Sequence, residues 1–536
     1  VTAIRRTEPD LARSTATMTV LTLLSRITGF IRNVVVVGVL GVTFLGNVYE
    51  TANTVPNLLF ELIAAGVLQA ILIPTLVELA EAGEDDEAEH VARSVLGLSL
   101  AALAALAGLG ILLSPFVMRL LMAKVPEHVR ADSVHLGTIL LLFFLPQVVL
   151  YASNTVATGV LNAKGHFAVP AIAPLLNNIV VVASYGLFAW MRHGAKPSLD
   201  LTGAEVAVLG LGTTLGVIAF CAAPVVAAIR TGMSLKPRFD WRHPRVQRIA
   251  RLGGWAAAFL AATQILLIVV LVLANDVEGG VVAWNLGFTV FVLPHALVAL
   301  PVLTTLFPTM SRQAAIGDEV AYLRTVSSGV RAIAYLVLPA SAAMLALSIA
   351  VARVLQFGKF HPGAVGAVAA AVAAFGPGLL GYGTFLFLAR ALYARGDTRT
   401  PAMVNLGVVV GTSAAMVVLF PFVHGHARIA VLAGAHSVGY LVGAAVLYGI
   451  VRARSSASGG TGDLGRSLAA SLAAAAACGA CMWLIGEALD GRGKVHSILE
   501  LVTAGLAGVV VYVVAAALLG GPRPKTVPAL LRGQHG

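Results

Sequence analysis

Arg26 and Arg32 stand inside an apolar run, MTVLTLLSRITGFIRNVVVVGVL at residues 18–40, long enough to cross a bilayer as a helix. At the helical rise the two lie roughly 9 Å apart in depth. A lone arginine at mid-membrane costs from about 3 to more than 10 kcal/mol, so such a residue persists only beside a wet cavity or a partner. Two chemistries follow. One is a structural ion pair that fastens this helix to its neighbour. The other is a cationic patch that grips an anionic substrate, for which the guanidinium is suited because it stays charged and donates parallel hydrogen bonds.

The next apolar span carries Asn47, Glu50, Asn53, Thr54, Asn57 and Glu61. Positions 47, 50, 54, 57 and 61 alternate by three and four, so they predict one polar helix face. The first helix climbs as the second descends, and matching their depths sets Arg32 level with Asn53 and Arg26 level with Glu61. The expectation is a polar seam with Glu61 as the partner of Arg26 and Arg32 as the cation left for a ligand.

These spans belong to a chain of 536 residues with 58% apolar content, 11% charged residues and mean hydropathy +0.90. That composition excludes a soluble globular protein and predicts an all-α polytopic membrane protein. Fourteen spans are predicted, near 16–40, 47–79, 92–122, 133–160, 167–191, 204–230, 249–275, 281–311, 328–356, 362–391, 402–423, 429–451, 466–487 and 496–519. No cleavable signal peptide is expected, because Arg26 interrupts the first apolar run. The net charge of +11 does not argue for nucleic acid, since the basic residues sit in short loops between spans. With both termini cytoplasmic, about 24 Lys and Arg fall on the inner side and about 10 on the outer. The densest inner block is KPRFDWRHPRVQRIAR, within residues 230–251. The acidic run EAGEDDEAEH reads as a solvated loop.

An internal repeat gives the organisation. Pro146, Tyr151, Ala163-Lys164-Gly165 and Pro170 recur 231 positions later as Pro377, Tyr382, Ala394-Arg395-Gly396 and Pro401, and LIPTL at 72–76 resembles LFPTM 234 positions on. Six helices per copy keep both copies in the same orientation, which implies two six-helix lobes with a site between them. The expected division is 1–230, a basic cytoplasmic linker 231–248, 249–451, and then 452–536 with two additional helices and a basic tail. The second copy lacks the cations: the positions of Arg26 and Arg32 fall near Phe259 and Gln264, and its eighth span offers Asn285, Thr289 and His295. Pro56, Pro74, Pro146, Pro294, Pro301, Pro308 and Gly376-Pro377-Gly378 mark bends at membrane depth. Gln147, Asn154, Asn177 and Asn178 are expected to face inward as interhelical bonds.

No enzyme signature is legible: there is no P-loop, HExxH or nucleophile elbow in a suitable context, and no sizeable loop to hold a domain. Cys221, Cys478 and Cys481 fall in apolar segments and read as small packing residues. No cofactor or metal is expected, though coupling to the membrane potential or to an ion remains open.

Ser25-Arg26-Ile27-Thr28-Gly29-Phe30-Ile31-Arg32, Pro56-Asn57-Leu58-Leu59, Gly66, Pro74 and the Ala394-Arg395-Gly396-Asp397-Thr398-Arg399-Thr400-Pro401 loop together resemble the MurJ/MviN family, whose characterised members flip lipid II. The resemblance spans the chain. It implies fourteen helices with both termini inside, a bacterial plasma-membrane location, and roles for Arg26 and Arg32 in contacting the pyrophosphate-linked headgroup. It also implies a groove for the polyprenyl tail along the last two helices, at 467–481 and 505–517. The chain departs from the family at Asn47, where an acidic residue is frequent, at Phe60-Glu61, where basic residues are, and at Thr289, where a cavity arginine stands. The broader MOP superfamily, with the MATE exporters, shares only the twelve-helix core.

The resulting expectation is an alternating-access flippase for lipid II or a related polyprenyl-diphosphate saccharide, with Arg26, Arg32, Asn53, Asn57 and Glu61 at the substrate and Asn47, Glu50, Asn285 and Thr289 as secondary cavity positions. Membrane lipids and cell-wall synthesis proteins are the expected partners. A MATE-type exporter would instead need Glu50 or Glu61 to exchange a proton or sodium. A non-transporting scaffold for wall synthesis would need the 230–251 loop and not the arginines.

Overall fold

Glycines and prolines divide one long apolar chain into rods. The computed structural model describes residues 8–61, 72–454, 464–489 and 493–522, and every regular element among them is helical. Eleven helices are long and apolar enough to span a membrane, and one bent pair makes a twelfth. Helix Glu8–Leu40 stands at the first predicted span, and helices Phe44–Phe60 and Ile73–Glu81 lie within the second. Gly66 lies outside the described residues.

Two compact units emerge. One comprises the chain up to Gln264 together with Gly358–Phe360, and the other Ile265–Phe357 with His361 onward. The first contains α1 (Glu8–Leu40), α2 (Phe44–Phe60), α3 (Ile73–Glu81), α4 (Asp85–Leu121), α5 (Glu127–Phe144), α6 (Gln147–Ala163), α7 (Ala168–Met191), α8 (Gly203–Arg230) and the start of α9 (Pro244–Ala274). The division thus falls within α9.

Local chemistry sets the α1–α2 hairpin. Gly41 takes φ 74°, a left-handed value that releases the chain from α1. Thr43 then adopts an extended conformation, and its hydroxyl accepts from the Gly46 amide while donating to the Leu40 carbonyl at 2.8 Å. Glu205 and Thr202 form a reciprocal capping box at the start of α8.

The second unit carries α10 (Gly280–Pro294), a π-helical turn at His295–Ala299, α11 (Leu300–Ala315), α12 (Glu319–Ala346), α13 (Ser348–Leu355), α14 (Val365–Phe375), α15 (Gly378–Ala394), α16 (Arg399–Leu419), α17 (Ala427–Ala453), α18 (Leu464–Ala488) and α19 (Lys494–Leu518). The repeat is visible to the residue. Helices α5 and α14 end at Phe144 and Phe375, α6 and α15 start one residue after Pro146 and Pro377, and α7 and α16 begin at Ala168 and Arg399. Each pair is separated by 231. The turns between match as well, with Gly165 at φ 73° and Gly396 at φ 76°. Helices α2 and α10 end at Phe60 and Pro294, displaced by 234, and both run on into a π turn.

The copies differ at the break. Helices α5 and α6 together run as one span, whereas α14 and α15 meet at 46°. Glycines on both sides of Pro377 remove the side chains that hold the Leu145-Pro146-Gln147 break straighter.

Helices α18 and α19 pack on α12. Ala474, Cys478, Met482, Tyr512 and Ala516 form a buried cluster with Tyr335, Leu338 and Ala342, and the Tyr512 hydroxyl donates to the Tyr335 carbonyl at 2.8 Å. One face of each helix is consumed in this packing, while Ala469, Ala473, Ala476, Ala477 and Ala480 on α18 stay exposed. The loops add a feature not foreseen: the acidic run is not simply solvated. Arg245 pairs with Glu84 and Glu87, His243 with Glu87, and His90 with Asp240 at 3.0 Å. The acidic loop therefore clasps the basic linker, and the hydrogen bond from His90 holds the Asp240 carboxyl below its usual range.

Candidate substrate cavity

Within the first unit, α1, α2, α6, α7 and α8 enclose a polar cavity of about 440 Å³. Helix α1 contributes Ser25, Gly29, Arg32, Asn33 and Val36, which recur at helical spacing and share one face. Helix α2 contributes Tyr49, Glu50, Asn53 and Asn57. Facing them are Tyr151 on α6, Asn177, Asn178 and Tyr185 on α7, and Thr213 on α8.

Arg32 is half-buried in this wall. Its Nη2 donates to Asn33 Oδ1 at 3.2 Å, its one hydrogen bond among the described residues, and no carboxylate lies within 4.0 Å of it there. A guanidinium has five N–H donors, so most of this one's are available to a ligand. Around it the wall is built from amides and phenols whose places are fixed by direct bonds. Asn178 Nδ2 donates to Thr28 Oγ1 at 3.1 Å, tying α7 to α1. The Tyr49 hydroxyl shares a hydrogen bond of 2.7 Å with Thr213 Oγ1, and its ring meets those of Phe144 and Tyr185 edge-on at 5.7 Å. Asn57 Nδ2 donates to the Asn53 carbonyl at 3.2 Å. Asn177 Oδ1 is buried with no hydrogen-bond partner among the described residues.

Several predicted site residues are thereby gathered: Arg32, Asn53, Asn57 and Glu50. Others are not. Arg26 is exposed and absent from the cavity wall, because six residues of helix turn it about 120° away from Arg32. Depth along a helix carries no information about that rotation. No ion pair joins Arg26 to Glu61 among the described residues, and Glu61 sits at the π turn that ends α2, outside the lining. Asn47 is buried in helix packing, and the Thr54 hydroxyl returns to the Glu50 carbonyl at 2.7 Å. Gln147 donates to Thr214 Oγ1 at 2.8 Å, the interhelical bond expected of it. Tyr49, Tyr151, Tyr185 and Thr213 carried no periodic signal that marked them, since aromatic residues on apolar helices read as core.

Asn285 and Thr289 lie in the second unit on α10, where the Thr289 hydroxyl bonds the Asn285 carbonyl at 2.7 Å. The interior there is of another kind. At the displacement of 234, Glu50, Asn57 and Glu61 correspond to Trp284, Phe291 and His295. Trp284 packs on Phe375 with centroids 4.7 Å apart, Phe291 on Phe375 at 5.3 Å, and His295 on Tyr382 at 4.8 Å, with His436 buried among them. Aromatic rings fill the region that remains open and polar in the first unit.

The chain matches one protein family and resembles solved membrane-transporter folds. Residues 36–503 match the family model described as lipid II flippase MurJ. A protein named lipid II flippase MurJ from Burkholderia cenocepacia is 27% identical over 427 residues, covering 79% of this chain and 81% of its own. A solved structure titled lipid II flippase MurJ, inward closed conformation, superposes with TM-score 0.72 at 17% identity, covering 94% of this chain and 98% of that one. An inward-facing multidrug resistance MATE family transporter of the MOP superfamily gives 0.65 at 14% identity, with 82% and 97% covered. A match over most of the chain, on a helical membrane fold that holds one polar cavity wall around Arg32, places this protein in the lipid II flippase MurJ family, a family of membrane transporters and not of enzymes.

Proposed function

We infer that the protein moves lipid II across the plasma membrane by alternating access, and that Arg32 is the residue that grips its diphosphate. The observation that carries this reading is a guanidinium on a membrane-spanning helix, in the wall of a polar cavity, with no carboxylate within 4.0 Å of it among the described residues. A diphosphate fits because charge-assisted, paired N–H···O bonds replace the water that both groups lose. Asn53, Asn57, Asn177 and Asn178 supply neutral donors and acceptors for the sugar and peptide portions, and Glu50 adds a carboxyl group to the wall. The lipid tail stays in the bilayer while the head crosses. Arg26, exposed about one and a half turns away, is an outer contact for the anionic head and not part of the enclosed grip.

Membrane lipids surround the protein, both termini lie on the cytoplasmic side, and the basic linker is the surface available to wall-synthesis proteins. In cells that depend on this protein, Arg32→Ala at normal abundance stops precursor from reaching the outer leaflet, measured by its accessibility to an external probe after depletion of the wild type. Unimpaired accessibility with Arg32→Ala removes the assigned role.

A further inference from the structure

The first unit holds a second cavity, of about 700 Å³, at the ends of α6 and α8 and the start of α7. Its walls are apolar: Leu161, Val169, Leu176, Ala219, Ala223 and Val226. Leu176 and Val226 are more than a third exposed in the whole chain, so the groove is open to the surrounding lipid. At its mouth stand His166, Arg230 and Thr231, and no carboxylate is in the lining. Lys164, beside them, donates its ammonium to the Thr231 carbonyl at 3.1 Å. A greasy slot with a cationic rim is complementary to an amphiphile with a negative head.

The internal repeat shows what such a rim holds when the anion is built in. Position 166 corresponds to Asp397, 231 residues on. Asp397 caps the start of α16: the Thr400 amide donates to its Oδ1 at 2.9 Å, and Arg454, at the end of α17, donates to its Oδ2 at 2.5 Å. In the first unit α7 starts at the same place in the fold without a side-chain cap, Arg230 ends α8 as Arg454 follows α17, and a histidine has replaced the carboxylate. The carboxylate is missing and Val169 stands where Thr400 does, but a basic residue still closes the neighbouring helix. In the first unit the basic rim and the apolar groove line one cavity, so the counterion fits as the phosphate of a lipid.

The geometry points to a binding site for an anionic phospholipid, with one acyl chain in the groove of α6, α7 and α8 and its phosphate at His166, Arg230 and the first amides of α7. The site is separate from the cavity around Arg32. The basic linker on the same face puts it at the cytoplasmic leaflet, where anionic lipid is attracted by such loops.

The test is lipid retention by the full-length protein, purified in detergent, exchanged with equimolar phosphatidylglycerol and phosphatidylcholine and read by native mass spectrometry. Phosphatidylglycerol is retained at least roughly fivefold over phosphatidylcholine, the preference that about 1 kcal/mol from the Arg230 charge alone produces. His166→Asp, which supplies the repeat's own carboxylate, abolishes that preference, whereas His166→Asn keeps it. Ala222→Trp, which fills the groove, lowers retention of both lipids. Equal retention of the two lipids by the wild type, or an unchanged preference in His166→Asp, overturns the site. Inorganic phosphate displacing the lipid while Ala222→Trp has no effect overturns the lipid assignment in favour of a free anion. Undecaprenyl phosphate retained ahead of phosphatidylglycerol overturns it in favour of the polyprenyl substrate. If Ala222→Trp does not fold, the pair at His166 decides. Lipid retention does not depend on flipping, so the two readings fail separately.

Discussion

A guanidinium inside a bilayer is tolerated only where water or an anion can reach it. Arg32 meets that condition in the wall of a polar cavity, whereas Arg26 lies exposed on another face of α1, outside that cavity. The two arginines therefore separate in their predicted effects. Arg32→Lys retains part of the flipping activity, because an ammonium keeps the charge and loses the paired donors. Arg26→Ala is the milder of the two alanine variants in the same outer-leaflet assay. Equal loss in both would mean that the headgroup spans the two faces together. The motif and its depth were readable from residue types alone. The rotation between the two residues was readable too, at 100° per residue, yet the pairing with Glu61 was drawn from depth without it. Tyr49 and Thr213 could not have been paired from sequence, since 164 positions separate them and only packing of α2 on α8 brings their hydroxyls to 2.7 Å.

Element ends and crossings follow from small residues. A methyl on Gly381 would stand 2.5 Å from the Leu441 amide nitrogen and 2.8 Å from its Cα, so α15 and α17 pack backbone to backbone there. Gly381→Ala is expected to cost about 1–3 kcal/mol, as overpacking does. Gly407→Ala, with nothing within 4 Å of the added carbon, is neutral, and the pair is compared by thermal unfolding in detergent. Asp397 tests the next loop. Burial raises its pKa, but bonds from Thr400 and from Arg454 outweigh that and hold the carboxyl below its usual range. A lowered folded pKa gives stability that is present above the unfolded value and lost as pH falls through the folded one. Asp397→Ala should thus lower stability by about 0.5–2 kcal/mol at neutral pH, and the difference from wild type should shrink on acidification below about pH 4. A difference that stays constant down to pH 3 would assign the effect to shape and not charge.

Over the whole molecule, orientation is the property most directly open to test. A fluorescent protein fused after the last residue should fold and fluoresce in the cytoplasm. Alkaline phosphatase inserted in the loop near His361 should be active outside, since that loop follows an odd-numbered span. The reverse pattern would invert every leaflet assignment made above. The number of spans, the breaks at Pro146 and Pro377, and the repeat itself were determined by the sequence, because hydropathy, proline and glycine act within a few residues of where they stand. Tertiary structure alone decided three other things. It set which face of α1 borders the cavity, it joined the acidic loop to the basic linker through Glu87 and Arg245, and it closed the second unit's interior with Trp284, Phe291 and Phe375. Each of those depends on which helices become neighbours, and neighbours are chosen by packing between segments far apart in the chain, which no local pattern records.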